Sequence, residues 1–172
     1  MTKKAIISGL IAGVCLLTFL VFREEPAKTP AVTDSVLSRL NGFDRSPLKG
    51  KPYLLHFWAK WCEPCAVEIP HLVEFAKQIQ SVKPLMVLAV SLDNSLEEAK
   101  EILPGKGKDL PSNFLLALDP EHKVAEAVGS YQYPETYWVD ANGKIIEKWI
   151  GAQPWNKPEV LQYFTSKIQS GI

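Results

Sequence analysis

A second cysteine pair is missing from this chain. Three cysteines in 172 residues are too few for a disulfide-stapled framework, so stability has to come from an ordinary hydrophobic core. Net charge is missing too. Nineteen Lys and Arg balance 19 Asp and Glu, which leaves no field to draw nucleic acid or acidic substrates in bulk. Charge is locally absent from residues 5–22, an apolar run between Lys3-Lys4 and Arg23. At 1.5 Å per residue it reaches roughly 27 Å, close to the hydrocarbon core of a bilayer. The lysines favour an N-in orientation. The expected organisation is therefore a short cytoplasmic N-terminus at 1–4, a transmembrane anchor at 5–22, a linker at 23–38 and a folded domain at 39–172. A cleaved signal peptide is the alternative, weakened because Leu16 to Phe22 offers no small-x-small cleavage site. Cys15 inside the run is expected to face lipid or a neighbouring helix, since Val14 is bulkier than the small residue before a lipid-attachment cysteine. Pro26 and Pro30 suit a tether.

The other two cysteines stand in Trp61-Cys62-Glu63-Pro64-Cys65. That spacing suits a disulfide or a shared metal and does not choose between them. A tetrahedral metal site normally wants four ligands, and no second pair is present to supply them. Residues 53–58, Tyr-Leu-Leu-His-Phe-Trp, read as a buried strand. Val67, Ile69, Leu72, Val73, Phe75, Ala76 and Ile79 then follow a helical period. Cys62 is thus expected at a helix N-terminus, where unpaired N–H groups and the helix dipole favour thiolate over thiol. Glu63 opposes that by its charge. Pro64 stiffens the first turn, where a missing N–H costs little, and Pro70 is expected to kink the helix.

Further strands are expected at 84–91, 114–118, 137–139 and 144–150, the last two joined by an Asp140-Ala141-Asn142-Gly143 hairpin. Helices are expected at 95–103, with Ser95 and Glu98 as a capping box, at 120–128 capped by Asp119, and at 156–169 with Val160, Leu161, Phe164 and Ile168 inward. Val36, Leu37 and Leu40 form a short amphipathic turn that could dock on the domain, and 41–51 is turn-rich.

The run FWAKWCEPC at 57–65, with Pro70 in the next helix, resembles the active-site region of the thioredoxin superfamily. More closely it resembles membrane-anchored thioredoxin-like thiol:disulfide oxidoreductases, among them the extracytoplasmic reductants of cytochrome c maturation. The resemblance spans roughly residue 48 to the C-terminus. It implies an α/β thioredoxin-like fold, a central mixed β-sheet flanked by helices, here with an N-terminal transmembrane helix. It implies that Cys62 attacks a substrate disulfide and Cys65 resolves the mixed disulfide, without cofactor or metal. It also implies that Pro134 is cis and faces the cysteines, with Glu135 and Thr136 following it. Glu135 either contacts partners or rests at the rim. His56 stands six residues before the attacking cysteine, where thioredoxin has a buried acid. It either accepts a proton from Cys65 or packs as a neutral ring. Asp93, near the end of the second strand, is the other candidate for the acid role. Trp58 is expected in the core and Trp61 beside Cys62, offering apolar surface to a peptide. His71 and His122 read as solvated or satisfied.

The expected protein is a single-pass protein of the cytoplasmic (inner) membrane, held by a signal anchor, with its catalytic domain facing the periplasm or extracytoplasmic space. It reduces protein disulfides, apocytochrome c cysteines being the specific candidate, and draws electrons from an upstream membrane dithiol donor. Nucleic acid is not an expected partner. Two alternatives are a disulfide oxidase or isomerase for exported proteins, and a non-enzymatic copper- or haem-delivery module on the same fold.

Overall fold

The computed structural model describes residues 31–40, 43–83 and 85–169. The strands are β1 (Tyr53–Trp58), β2 (Met86–Ser91), β3 (Phe114–Leu118), β4 (Glu135–Val139) and β5 (Ile145–Ile150). The helices are α1 (Asp34–Leu37), α2 (Glu63–Val82), α3 (Leu96–Lys100), α4 (Lys123–Ala127) and α5 (Pro158–Gln169). One sheet holds all five strands in the order β3-β2-β1-β4-β5. β1, β2 and β3 run parallel, while β4 opposes β1 and β5 opposes β4. This is the mixed sheet flanked by helices that the resemblance implies.

β1 lies at the centre of the sheet, and every residue of β1 and β2 is buried. Their continuous apolar sequence reflects that both faces are covered. Alternation along β1 sends Leu54, His56 and Trp58 to one face and Tyr53, Leu55 and Phe57 to the other. On the Leu54 face, Phe164 of α5 packs edge-on to Trp138 at 5.5 Å and to Phe75 of α2 at 5.4 Å between ring centroids. On the opposite face Phe57 meets Tyr137 edge-on at 6.0 Å. The sheet is therefore clamped from both sides, with the end of β1 leading directly into Cys62.

The N-terminal turn does dock. Val32, Val36, Leu37 and Leu40 are buried in the same core, and Val32 N donates to Gly143 O at 2.8 Å. Gly143 has φ +83°, and a Cβ there would lie 2.6 Å from Val32 O. The Asn142-Gly143 turn is thus required twice, to close the hairpin and to admit the docked segment.

Three expected helices are shorter than their sequence patterns. α3 keeps its cap, with Glu98 N donating to Ser95 Oγ at 3.2 Å, but the Glu98 carboxylate takes Asn94 N at 3.3 Å. α3 ends at Lys100, before the 3-10 turn Pro104–Gly107. α4 begins at Lys123 because His122 sits in the left-handed region at φ 56°. Asp119 still caps it, its Oδ2 accepting from Val124 N and Ala125 N, both at 2.9 Å. α5 starts at Pro158 rather than 156, and only Phe164 of its inner face is fully buried.

The expected anchor at 5–22, the termini and linker around it, Cys15 and the start of the second strand at Pro84 lie outside the described residues. Among the described residues no helix is long and apolar enough to cross a membrane. The longest, α2, carries Glu63, Glu68, Glu74 and Lys77 and buries its apolar stripe in the domain core. The described residues therefore give the mixed sheet and its flanking helices, with no transmembrane helix among them. The described residues thus supply no span for the expected single-pass signal anchor, membrane localisation or membrane-anchored partner arrangement, which are corrected accordingly and not carried further.

Candidate active site

β1 ends at Trp58, and the chain turns through 59–61 to place Cys62 at the N-cap of α2. Cys62 Sγ accepts from Cys65 N at 3.3 Å, so the sulfur sits among the free N–H groups of the first turn. Cys62 is 7% exposed and Cys65 wholly buried. The two form a disulfide with Cα atoms 5.2 Å apart, which answers the choice that spacing left open. Glu63 and Pro64 fill the exposed first turn.

Asp93 supports this turn from below. Its carboxylate accepts Lys60 N at 2.9 and 3.1 Å and the Ser91 hydroxyl at 2.7 Å. These bonds hold the backbone entering Trp61-Cys62, and none reaches a cysteine. Asp93→Ala is expected to cost about 1.5–3 kcal/mol, the range for hydrogen bonds to a charged group. Urea denaturation of the oxidised protein checks this, and a loss below about 0.5 kcal/mol would show that the carboxylate does not hold the turn.

His56 is fully buried in β1, its Nδ1 2.9 Å from Thr136 Oγ1 on the neighbouring strand. Its Nε2 faces Glu68 Oε2 at 4.0 Å, and neither atom has a hydrogen-bond partner. Glu68 lies one turn beyond Cys65 on α2 and is also buried. Its other oxygen accepts Gln153 N at 2.9 Å and the indole N–H of Trp155. Burial pushes the Glu68 carboxyl up to about 7, against those two donors, and burial pushes His56 down to about 3. An acid that is near half-protonated at neutral pH thus stands behind the buried cysteine. Sequence reasoning missed Glu68. Its signal was an acid on the apolar stripe of α2, between Cys65 and Leu72 at helical spacing.

The Tyr133–Pro134 peptide bond is cis. β4 begins at once after it, and Glu135 pairs with Phe57 at the end of β1, so the proline loop borders the cysteine turn. Trp61 and Tyr133 close the contact edge-to-face at 6.1 Å. Glu135 is not at the rim. It is fully buried on the opposite face of the sheet from His56, with Oε1 3.0 Å from Lys148 Nζ and Oε2 accepting the Tyr137 hydroxyl at 2.8 Å. Thr136 joins the His56 side instead. Tyr131, Tyr133 and Lys148 were not singled out by the sequence, because only the fold brings their segments together, and His122, read as solvated or satisfied, packs against Tyr133.

The family model described as AhpC/TSA family matches residues 30–148. The chain belongs to the AhpC/TSA family. The chain is 27% identical over 165 residues to the thiol-disulfide oxidoreductase ResA of Bacillus thuringiensis (strain Al Hakam), covering 95% of this chain and 91% of the relative. It is 34% identical over 110 residues to the thiol:disulfide interchange protein DsbE of Vibrio cholerae, covering 63% of this chain and 55% of that one. Among solved structures, the pneumococcal exposed lipoprotein thioredoxin Etrx1 of Streptococcus pneumoniae strain TIGR4 superposes with a TM-score of 0.53 at 27% identity, covering 73% and 90% of the two chains. With its disulfide-forming pair on this fold, this family member is a thioredoxin-like thiol:disulfide oxidoreductase.

Proposed function

We propose that the chain works mainly as a reductant of protein disulfides through Cys62 and Cys65. The observation that carries the direction is the charge beside the attacking sulfur. Glu63 is next to Cys62, and the ammonium of Lys60 is held 2.6 Å from Glu101. A dithiol becomes a strong oxidant when its reduced form is stabilised. A carboxylate beside Cys62 destabilises the thiolate and leaves the reduced form ready to give up its electrons.

In the proposed cycle the Cys62 thiolate attacks one sulfur of the substrate disulfide and expels the other as a thiolate. Cys65 then attacks Cys62 Sγ of the mixed disulfide, closes the intramolecular disulfide and releases the second substrate sulfur. Two electrons pass to the substrate. The proton of Cys65 goes to the Glu68 carboxylate, which Gln153 N and the Trp155 indole hold through its other oxygen. An external dithiol restores the reduced pair. The apocytochrome c cysteine pair implied by the FWAKWCEPC resemblance is the specific substrate of this proposal.

The reduction potential of the pair tests the direction, measured by equilibration against glutathione or dithiothreitol with thiol trapping and mass spectrometry. A value below about −230 mV is expected. A value near about −120 mV, that of a strong oxidant, would reverse the assignment to disulfide formation.

A further inference from the structure

Cys62 exposes only 7% of its surface, whereas its neighbour Trp61 exposes 62% and Tyr131 of the proline loop 68%. Five large apolar side chains are exposed among the described residues. Three of them gather at the cis-proline segment: Trp61, which precedes Cys62 and meets Tyr133; Tyr131, three residues before Pro134; and Ile150, which pairs with Glu135. Any disulfide that reaches the attacking sulfur must therefore lie against this rim.

The rim is built rather than incidental. Tyr133 bridges its halves, meeting Trp61 on one side and the ring of His122 on the other, each at 6.1 Å between centroids. The Lys148 ammonium lies 4.9 Å from the Tyr131 ring, 3.0 Å from the buried Glu135 carboxylate and within 2.9 Å of Gly129 O. One ammonium thus fastens the loop carrying Tyr131 and Tyr133 to the strand that follows the proline. Its charge is consumed by Glu135, so it does not attract an acidic partner. The exposed charge beside Cys62 is Glu63, which repels one.

We infer that Trp61, Tyr131 and Tyr133 select substrates in which an aromatic side chain, and not an acidic one, flanks the attacked cysteine of an extended protein segment, with Lys148 as the positioning residue of that rim. The inference rests on the exchange activity above and names its substrate class. Flat faces at the rim offer an incoming ring offset or edge-on contact, and Glu63 makes a flanking carboxylate unfavourable.

The test uses the reduced full chain against three peptide disulfides that differ only in the residue beside the attacked cysteine, Phe, Ser or Glu. Initial exchange is quenched with an alkylating reagent and read by mass spectrometry, with hydroxyethyl disulfide as a substrate that lacks a flanking residue. The Phe peptide is expected to react roughly 3- to 10-fold faster than the Ser peptide, the range one aromatic pair supplies, and the Glu peptide more slowly than Ser. Tyr131→Ala is expected to bring the Phe-to-Ser ratio close to unity. Lys148→Met is expected to do the same, with the ratio restored in Lys148→Arg. A ratio near unity in the unaltered chain, or one that survives Tyr131→Ala, overturns the inference while exchange with hydroxyethyl disulfide leaves the oxidoreductase reading standing. Self-association through the rim would give that same flat ratio, together with a dimer in sedimentation. Failure to exchange any of the disulfides would remove both readings together.

Discussion

Cys62→Ser is expected to abolish exchange with every disulfide substrate, and Cys65→Ser to convert turnover into a trap. The two sulfurs differ in position. Cys62 caps the helix at the surface, and Cys65 is wholly buried one turn on. A serine hydroxyl at 62 is not ionised at neutral pH and cannot form the mixed disulfide. A serine at 65 leaves the attacking thiolate intact but removes the resolving one, so the mixed disulfide should accumulate. Mass spectrometry of the chain after incubation with a peptide disulfide distinguishes the two: an unmodified mass for Cys62→Ser and a single peptide adduct for Cys65→Ser. An adduct on Cys62→Ser would reverse the roles of attacker and resolver.

The buried pair of His56 and Glu68 should make stability depend on pH from both sides. His56 titrates near 3 in the folded chain against 6.5 in the unfolded one. The unfolded chain therefore binds a proton that the folded chain refuses, and stability falls as the pH drops from about 6.5. At 1.36 kcal/mol per unit, the loss approaches about 5 kcal/mol by pH 3. Glu68 acts in the other direction. Its folded value near 7 exceeds the ordinary 4.5, so the folded chain holds a proton that the unfolded chain releases. Stability falls by about 3 kcal/mol as the pH rises from about 4.5 to about 7. Between about 4.5 and 6.5 the two slopes cancel and their joint contribution is flat. Urea midpoints of the oxidised protein from pH 3 to 8 measure this. His56→Asn should flatten the acid limb and Glu68→Gln the neutral one, whatever each does to stability at a single pH. Parallel profiles in wild type and variants would show that neither group titrates as its burial dictates.

Much of this site was legible before the fold. The cysteine spacing, the apolar period after it and the preceding apolar strand placed Cys62 at a helix start, because those patterns follow from local periodicity alone. Asp119 as a helix cap and the Asn142-Gly143 turn were readable for the same reason, since caps and turns are written in a few consecutive residues. The helix that Asp119 caps starts later than its sequence suggests because the backbone at His122 turns left-handed, and nothing in the residue type requires that. Glu135 illustrates the opposite failure. Its place beside the proline suggested the rim, but strand alternation turned it inward to a lysine from β5. Only the pairing of β4 with β5 could supply that partner.

By itself, then, the sequence determined a closely spaced cysteine pair at a helix N-terminus on an alternating α/β chain, because short-range spacing sets secondary structure and the reach between the two sulfurs. Tertiary structure alone decided which side chains stand around that dithiol. It set Glu68 from α2 against His56 from β1 and closed them from water, and burial is what moves their proton affinities. It also joined Trp61, from the cysteine turn, to Tyr133, some 70 residues further on, through the antiparallel pairing of β1 with β4. Contacts between residues so distant in the chain depend on strand order, which no local pattern encodes.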